Sequence, residues 1–357
     1  MAAGSPVEHA DLRARVTKAV DALLARQRPR LDAISTELAP MADALSDFLL
    51  DSGKRLRPAF AYWGWRGAGG ADGDEVVAAV ACLEWLQACA LIHDDVMDGS
   101  DTRRGAPALH RRFSSLHRTE GWRGDPEAFG QSAAILLGDL CLIWADEMYN
   151  TAGMDFDALR RGQPVYDEMR TELMAGQYLD LLEQAIGGSS TERAMRVARY
   201  KSAKYTVERP LHLGAALAGA PSSLVDAYSD YGLPLGEAFQ LRDDVLGVFG
   251  DPSCTGKPAG DDLREGKRTV LIALTLEQAN PRQAALVRRH LGDPHLSPAG
   301  LALLREAISD TGALARTEAM IGARTESALS ALAGADLDPQ ARAVLGELAL
   351  AATARRV

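Results

Sequence analysis

Aromatic residues are scarce, 6% of the 357 residues. No stretch of alternating apolar and polar positions is long enough to make a useful strand, which excludes an all-β fold. Cysteine is nearly absent: Cys82, Cys89, Cys141 and Cys254, with no Cys-x-x-Cys pair. That excludes a cysteine zinc site and points to reduced thiols in a cytoplasmic protein. Basic charge is in deficit as well. Lys and Arg number 39 against 49 Asp and Glu, a net charge of −10, so the chain is no general nucleic-acid binder. The first residues, Met1 to Asp11, hold no basic segment followed by an apolar one, and no signal peptide is predicted there. No uncharged apolar run reaches the length of a bilayer span, so no transmembrane segment is expected.

What fills the chain is Ala and Leu, within a hydrophobic content of 47% that can bury a sizeable core. Ser5 to Leu50 has helical periodicity in two pieces, split near Arg28-Pro29. Val76 to Ile92 predicts a buried helix, Pro126 to Asn150 the next long one, and Phe156 to Ala185 another, closed by Gly187-Gly188. Thr191 to Leu217 and Leu224 to Phe249 follow. Val270 to Val357 reads as Ala-rich helices for packing and subunit contact. Two polar segments, about His110 to Asp125 and Pro252 to Gly266, are predicted loops of a length that suits covers over a site. No second domain declares itself. The expectation is one all-α domain over residues 1–357, its motif core spanning about 52–269.

Chemistry concentrates directly behind the first buried helix, in Asp94-Asp95-Val96-Met97-Asp98 and then Arg103-Arg104. If the helix continues, Asp94 and Asp98 stand one turn apart on one face. Like charges repel there, and a helix C-terminus disfavours anions. A hard divalent cation would reward the arrangement, because it takes closely spaced carboxylate oxygens. Arginines beside it suit phosphate oxygens. The alternative is a solvated acidic helix end followed by a basic turn. Lys54, Arg55 and Arg57 gather between Gly53 and Pro58 at the start of another helix, a place that favours anions and also a common basic loop.

The pattern returns later. An apolar helical run ends in Gln240-Leu241-Arg242-Asp243-Asp244-Val245-Leu246-Gly247, followed by a segment rich in Gly, Lys and Asp that contains Lys257 and Lys267. Two helices that each end in paired aspartates and lead into basic residues are far less probable by chance than one.

With both stretches in view, the sequence resembles the trans-isoprenyl diphosphate synthases, and most of all the bacterial geranylgeranyl diphosphate synthases. The resemblance is sharpest from Ser52 to about Thr269. It implies a single large helical bundle around a central apolar cavity, head-to-tail condensation of isopentenyl diphosphate with an allylic diphosphate, and a homodimer. It further implies that Asp94, Asp98 and Asp243 bind Mg2+, three ions with substrate present, with Asp95 and Asp244 in support. Arg103 would hold the allylic diphosphate, and Lys54, Arg57 and Arg104 isopentenyl diphosphate. Lys201, Gln240, Lys257 and Lys267 match further diphosphate-facing positions.

Two departures stand out. Where the family often has His three residues after the glutamate matching Glu84, this chain has Gln87, whose amide can still donate to a diphosphate. The second motif usually ends in a third aspartate; here Gly247 stands in that place, and Asp244, Asp251 or a water molecule is available to fill the gap. A class I terpene cyclase would instead show an Asn/Asp, Ser/Thr, Glu triad on a later helix, which the Asp243 segment lacks. A noncatalytic subunit of a heteromeric synthase finds its only support in Gly247.

Product length is expected to be set behind the first motif. Ala90, Cys89 and Leu86 precede Asp94 by four, five and eight residues and run down the helix away from the diphosphate. One turn rises ~5.4 Å, comparable with an isoprene unit. Ala90 and Cys89 are small, so the tail should pass them, with Leu86, Trp85 or Trp144 as the next floor. Twenty carbons are predicted, with farnesyl or longer products as the alternatives.

Overall fold

The computed structural model describes residues 7–50, 53–251 and 260–354, nearly all of them helical. Its contacts divide into two compact units. The first holds Ala71–Leu159 and the described residues up to Tyr62; the second holds Trp63–Gly70 and the described residues from Arg160 on.

In the first unit the helices are α1 (Val7–Ile34), α2 (Ala39–Leu50), the start of α3 (Leu56–Gly67), α4 (Asp74–Asp98), α5 (Leu109–Thr119) and α6 (Pro126–Asn150). Helix α1 corrects the expected split at Pro29, because it runs through that proline. The missing N–H costs one backbone bond, but the buried stripe Val16, Val20, Leu23, Leu24, Gln27 and Leu31 continues past it. Gln27 Nε2 also donates to Glu147 Oε2 of α6 at 2.7 Å. The break falls at Ser35, whose hydroxyl accepts from the Glu37 N–H and starts a 3-10 turn, Thr36–Leu38.

The segment expected as a polar loop, His110 to Asp125, is mostly α5. Its buried side chains Leu109, His110, Phe113, Ser114 and His117 recur at three and four residues, while Arg111, Arg112 and Arg118 face outward and gave the stretch its polar look. Ahead of it lies a short antiparallel hairpin, Thr102–Arg103 (β1) with Ala106–Pro107 (β2). No alternation could have revealed strands of two residues. Helices α4 and α6 are long and apolar enough to cross a membrane. In α4 the apolar window is 72% buried inside the protein, as a core helix is, and α6 packs against it.

The second unit contains α7 (Phe156–Ile186) from Arg160 on, α8 (Thr191–Val197), a π-helical segment Ala198–Glu208, α9 (Arg209–Ala218), α10 (Ser222–Phe249), α11 (Asp261–Glu265), α12 (Val270–Gln278), α13 (Pro281–His290), α14 (Pro298–Asp310), α15 (Ala313–Gly334) and α16 (Pro339–Thr353). Helix α10 is its axis, packed along α15 and the π segment. Leu241, Val245 and Val248 of α10 share a core with Leu263, Leu271, Leu274 and Leu304. Glycines set two close approaches. A Cβ at Gly176 would lie 2.4 Å from the Lys201 backbone nitrogen, and one at Gly236 2.5 Å from the Ala203 carbonyl oxygen. The wide π turn is thus bounded by α7 and α10 with no room for a side chain at either contact.

Candidate active site

Helix α4 does continue through the aspartates, ending at Asp98 with Gly99 left-handed behind it. From Val76 on this helix is mostly buried until its last turns; Gln87, Ala90, Leu91 and Asp98 are half-buried, as are Ala78, His93 and Val96, and Asp98 stands one turn beyond Asp94, which is 9% exposed. The two carboxylates therefore share one face, as expected. His93 points elsewhere: its Nε2 lies 3.0 Å from the Ile135 carbonyl oxygen and 3.7 Å from Asp139 of α6. A Cβ at Gly138 would sit 2.1 Å from that nitrogen, so His93 is a packing residue between helices.

Asp95 is 1% exposed and grips Arg103, whose Nε donates to Oδ1 at 2.9 Å and to Oδ2 at 3.2 Å. The same guanidinium reaches Asp94 at 3.5 Å. Asp95 thus orients Arg103 beside the Asp94–Asp98 face. Arg104 and Gly105 form the two-residue hairpin turn, with φ of 56° and 80°. Positive φ at both positions matches the strand twist, yet costs a non-glycine residue ~1 kcal/mol or more. Arg104 is held by Phe48, its guanidinium 5.5 Å above the ring and Nη1 donating to the carbonyl oxygen at 3.3 Å. Burial, and then the nearby cations Arg103, Arg55 and Arg57, pull Arg104 below the ordinary arginine range. Phosphate would relieve such crowding.

Arg55 is the other non-glycine residue with positive φ among the described residues, at 51°. It turns inward, 4% exposed, to an ion pair with buried Glu84, and Nη2 donates to the Leu49 carbonyl oxygen at 2.5 Å. Lys54 stays exposed before α3 and Arg57 half-buried in its first turn. The basic cluster is thus divided into one structural arginine, one exposed lysine and one half-buried arginine. Glu84 was legible only as a charge interrupting an apolar run.

Behind Asp94, Cys89 and Leu86 are fully buried. The Cys89 sulfur lies 3.8 Å from His93 Nδ1. Burial pushes its thiol up to about 12, and Cys141 of α6 is raised well above the ordinary thiol range by the same cause, so both are neutral. One turn below, Trp85 and Trp144 meet edge to face with centroids 5.4 Å apart.

In the second unit, Lys201 is half-buried and pairs with buried Asp180 at 2.6 Å. Gln240, Asp243 and Gly247 are half-buried along one face of α10, at steps of three and four. Gln240 Nε2 donates to Asp244 Oδ1 at 2.8 Å. Burial first, and then the charges of Asp262 and Asp243, push the Asp244 carboxyl up to about 8. Lys267 Nζ lies 2.8 Å from Glu265 and 3.7 Å from Asp262 Oδ1. Asp251 is exposed. Near Gly247 lies a residue the sequence reading passed over: a Cβ there would lie 1.8 Å from Asp262 Oδ2. Lys257, Cys254 and most of the second expected cover lie outside the described residues; the remainder of that cover is mainly α11.

Among the described residues no three His, Cys, Asp or Glu side chains already form a metal cluster. The carboxylates still fit Mg2+, which typically takes one or two protein carboxylates and completes its shell with water and substrate phosphates. Asp94 and Asp98 offer two hard oxygen donors on one face, and the Asp262 carboxylate fills the cradle over Gly247, four residues on from Asp243.

The profile of the polyprenyl synthetase family matches residues 39–306. A geranylfarnesyl diphosphate synthase of Aeropyrum pernix is 32% identical over 73% of this chain and 77% of its own length. An octaprenyl diphosphate synthase of Escherichia coli is 30% identical over 82% and 84%. The crystal structure of a geranylgeranyl pyrophosphate synthase from Corynebacterium glutamicum, complexed with isoprenyl diphosphate and magnesium, superposes with a TM-score of 0.93 at 44% identity, covering 99% of this chain and 100% of that one. The chain belongs to the polyprenyl synthetase family and is a prenyltransferase of the trans-isoprenyl diphosphate synthase kind.

Proposed function

We propose that this synthase is Mg2+-dependent and condenses isopentenyl diphosphate with allylic diphosphates to give mainly geranylgeranyl diphosphate. The observation that carries the dependence on metal and diphosphate is the Asp94–Asp98 face set beside Arg103, with Arg104 strained and crowded by cations nearby.

In this reading Asp94 and Asp98 would hold Mg2+, and Asp243 would hold another Mg2+. When bound, Mg2+ neutralises the allylic diphosphate and so makes it a competent leaving group. Arg103, kept in place by Asp95, holds the allylic diphosphate, joined by Lys201, Lys257, Gln240 and Lys267. Lys54, Arg57 and Arg104 hold isopentenyl diphosphate, and Gln87 contributes an amide donor. The allylic C–O bond ionises, the isopentenyl double bond closes the new C–C bond, and the proton goes to the departing diphosphate. His93 is engaged with α6 and is not used as the base.

The length of the product rests on Cys89 and Ala90, small residues one turn above the Trp85–Trp144 pair. A tail would clear the small residues and stop at the indoles. The test is Ala90→Phe and Cys89→Phe with chromatography of the dephosphorylated products. Both are expected to shift output toward fifteen carbons; unchanged products in both would remove this face from the tunnel.

A homodimer is favoured by Phe129, Leu136 and Ile143 on α6, exposed by 37%, 59% and 60% at seven-residue spacing. Free thiols at Cys82, Cys89 and Cys141 suit the cytoplasm.

A further inference from the structure

We propose that Glu237 is a positioning residue for the allylic diphosphate: through Arg199 it fixes the π segment, which carries Lys201, against α10, which carries Gln240 and Asp243. This rests on the reading of Lys201 as a residue that holds that diphosphate.

The π segment runs for eleven residues, Ala198–Glu208. Such turns are rare, and surrounding structure has to hold them. Along α10 its contacts come in order. A Cβ at Gly232 would lie 2.9 Å from the Glu208 Cα, and one at Gly236 2.6 Å from the Ala203 Cα. These approaches bring two backbones together, but a glycine surface is smooth and resists sliding poorly. Glu237, the next residue, supplies a directional tie. Arg199 Nε donates to Glu237 Oε1 at 2.9 Å, and Arg199 Nη2 lies 2.7 Å from the same oxygen. Arg199 stands two residues before Lys201, and Glu237 stands three before Gln240 and six before Asp243. The tie therefore sits next to the functional side chains on both elements. On its other side the segment is bound to α7, by Lys201 to Asp180 and by Lys204 to Glu172.

The carboxylate is itself braced. Its side chain is 7% exposed, and Oε2 accepts from Arg324 Nε of α15 at 2.7 Å. One buried charge thus meets two arginines. Arg324 already supplies a counter-charge, so neutralising Glu237 does not require Arg199. What Arg199 adds is the link to the π segment. If the segment shifts along α10, Lys201 shifts relative to Gln240 and Asp243, and the diphosphate loses a donor placed for it.

The two arginines make the test. Glu237 is left in place, because its removal would strip both of their counter-charge. Arg199→Met cuts the link and leaves Glu237 paired with Arg324; Arg199 is 45% exposed, so the fold tolerates the change. Arg324→Met keeps the link and removes the other cation. Steady-state kinetics of the full chain are measured with each substrate varied in turn. In Arg199→Met, kcat/KM for the allylic diphosphate should fall about 10-fold, within the ~100-fold that a misplacement of about 1 Å can cost. Arg324→Met should lose much less, and Arg199→Lys should recover part of the loss. The KM for isopentenyl diphosphate should stay at its wild-type value in all three. Placed in a Lys201→Ala background, Arg199→Met should have no further effect. Equal losses in Arg199→Met and Arg324→Met overturn the proposal, because Glu237 then needs only to be neutralised. Wild-type kinetics in Arg199→Met overturn it, and so does an undiminished loss in the Lys201→Ala background. Lys201→Ala by itself separates the two readings. If it leaves the allylic kcat/KM unchanged, the assignment of Lys201 has failed; if it is impaired while Arg199→Met is not, only the role of Glu237 has.

Discussion

The Arg55–Glu84 pair carries a prediction whose size follows from its surroundings. The two side chains are 3% and 7% exposed. Arg55 also donates to the Leu49 carbonyl at 2.5 Å, and its Nε lies 3.4 Å from the Thr17 hydroxyl. Glu84→Leu leaves a guanidinium in the core without a counter-charge, and Arg55→Met leaves an isolated carboxylate. Breaking a buried pair from one side costs ~3–5 kcal/mol. Arg55→Met with Glu84→Leu removes both charges at similar volume. What then remains unsatisfied is mainly the Leu49 carbonyl, at about 1–3 kcal/mol. The double variant should therefore be at least as stable as either single one, and far more stable than their summed costs imply. Urea denaturation at fixed protein concentration measures all four proteins. The single variants should also raise the KM for isopentenyl diphosphate, because Arg55 fixes the chain between Lys54 and Arg57. A cost under about 1 kcal/mol for Glu84→Leu, the value of an exposed pair, would refute this reasoning. Additive costs in the double variant would refute it equally.

Further outcomes follow from the same geometry. Asp94→Ala and Asp98→Ala should each lower turnover by orders of magnitude at saturating Mg2+, since each removes charge neutralisation needed in the transition state; near-normal rates would contradict the ligand assignment. Asp95→Asn should raise the KM for the allylic substrate by ~10- to 100-fold, the worth of a charged hydrogen bond, with a smaller change in isopentenyl diphosphate KM. His212 is buried, and burial together with Arg209 lowers its pKa from 6.5 to about 4. Between those values the folded protein binds fewer protons than the unfolded chain, so stability is present above pH 6.5 and lost as pH falls toward 4. His212→Asn should remove on the order of 3 kcal/mol of that pH dependence; an identical acid limb in the variant would show the imidazole to be solvated.

The long helices were legible because their apolar periodicity is strong: α6 falls on its expected bounds and α7 within one residue at its end. The Asp94–Asp98 face was legible for the same reason, since one helical turn fixes both residues. Three features were not. Helix α5 hides a buried stripe under its arginines. The π segment packs closely at Gly176 and Gly236, and such approaches are tertiary facts. Asp262 comes from fifteen residues beyond Gly247, and nothing local says that its carboxylate folds back over that glycine. Periodicity reports what one helix does by itself, while a site assembled from several elements is settled by their packing.

The most direct measurement of the central claim is a product analysis of the purified wild-type chain. It is incubated with isopentenyl diphosphate and dimethylallyl, geranyl or farnesyl diphosphate, with Mg2+ or with EDTA. The account predicts geranylgeranyl diphosphate as the main product from every starter, and none with EDTA. Condensation that persists without metal, or a main product of fifteen or of twenty-five and more carbons, would contradict it.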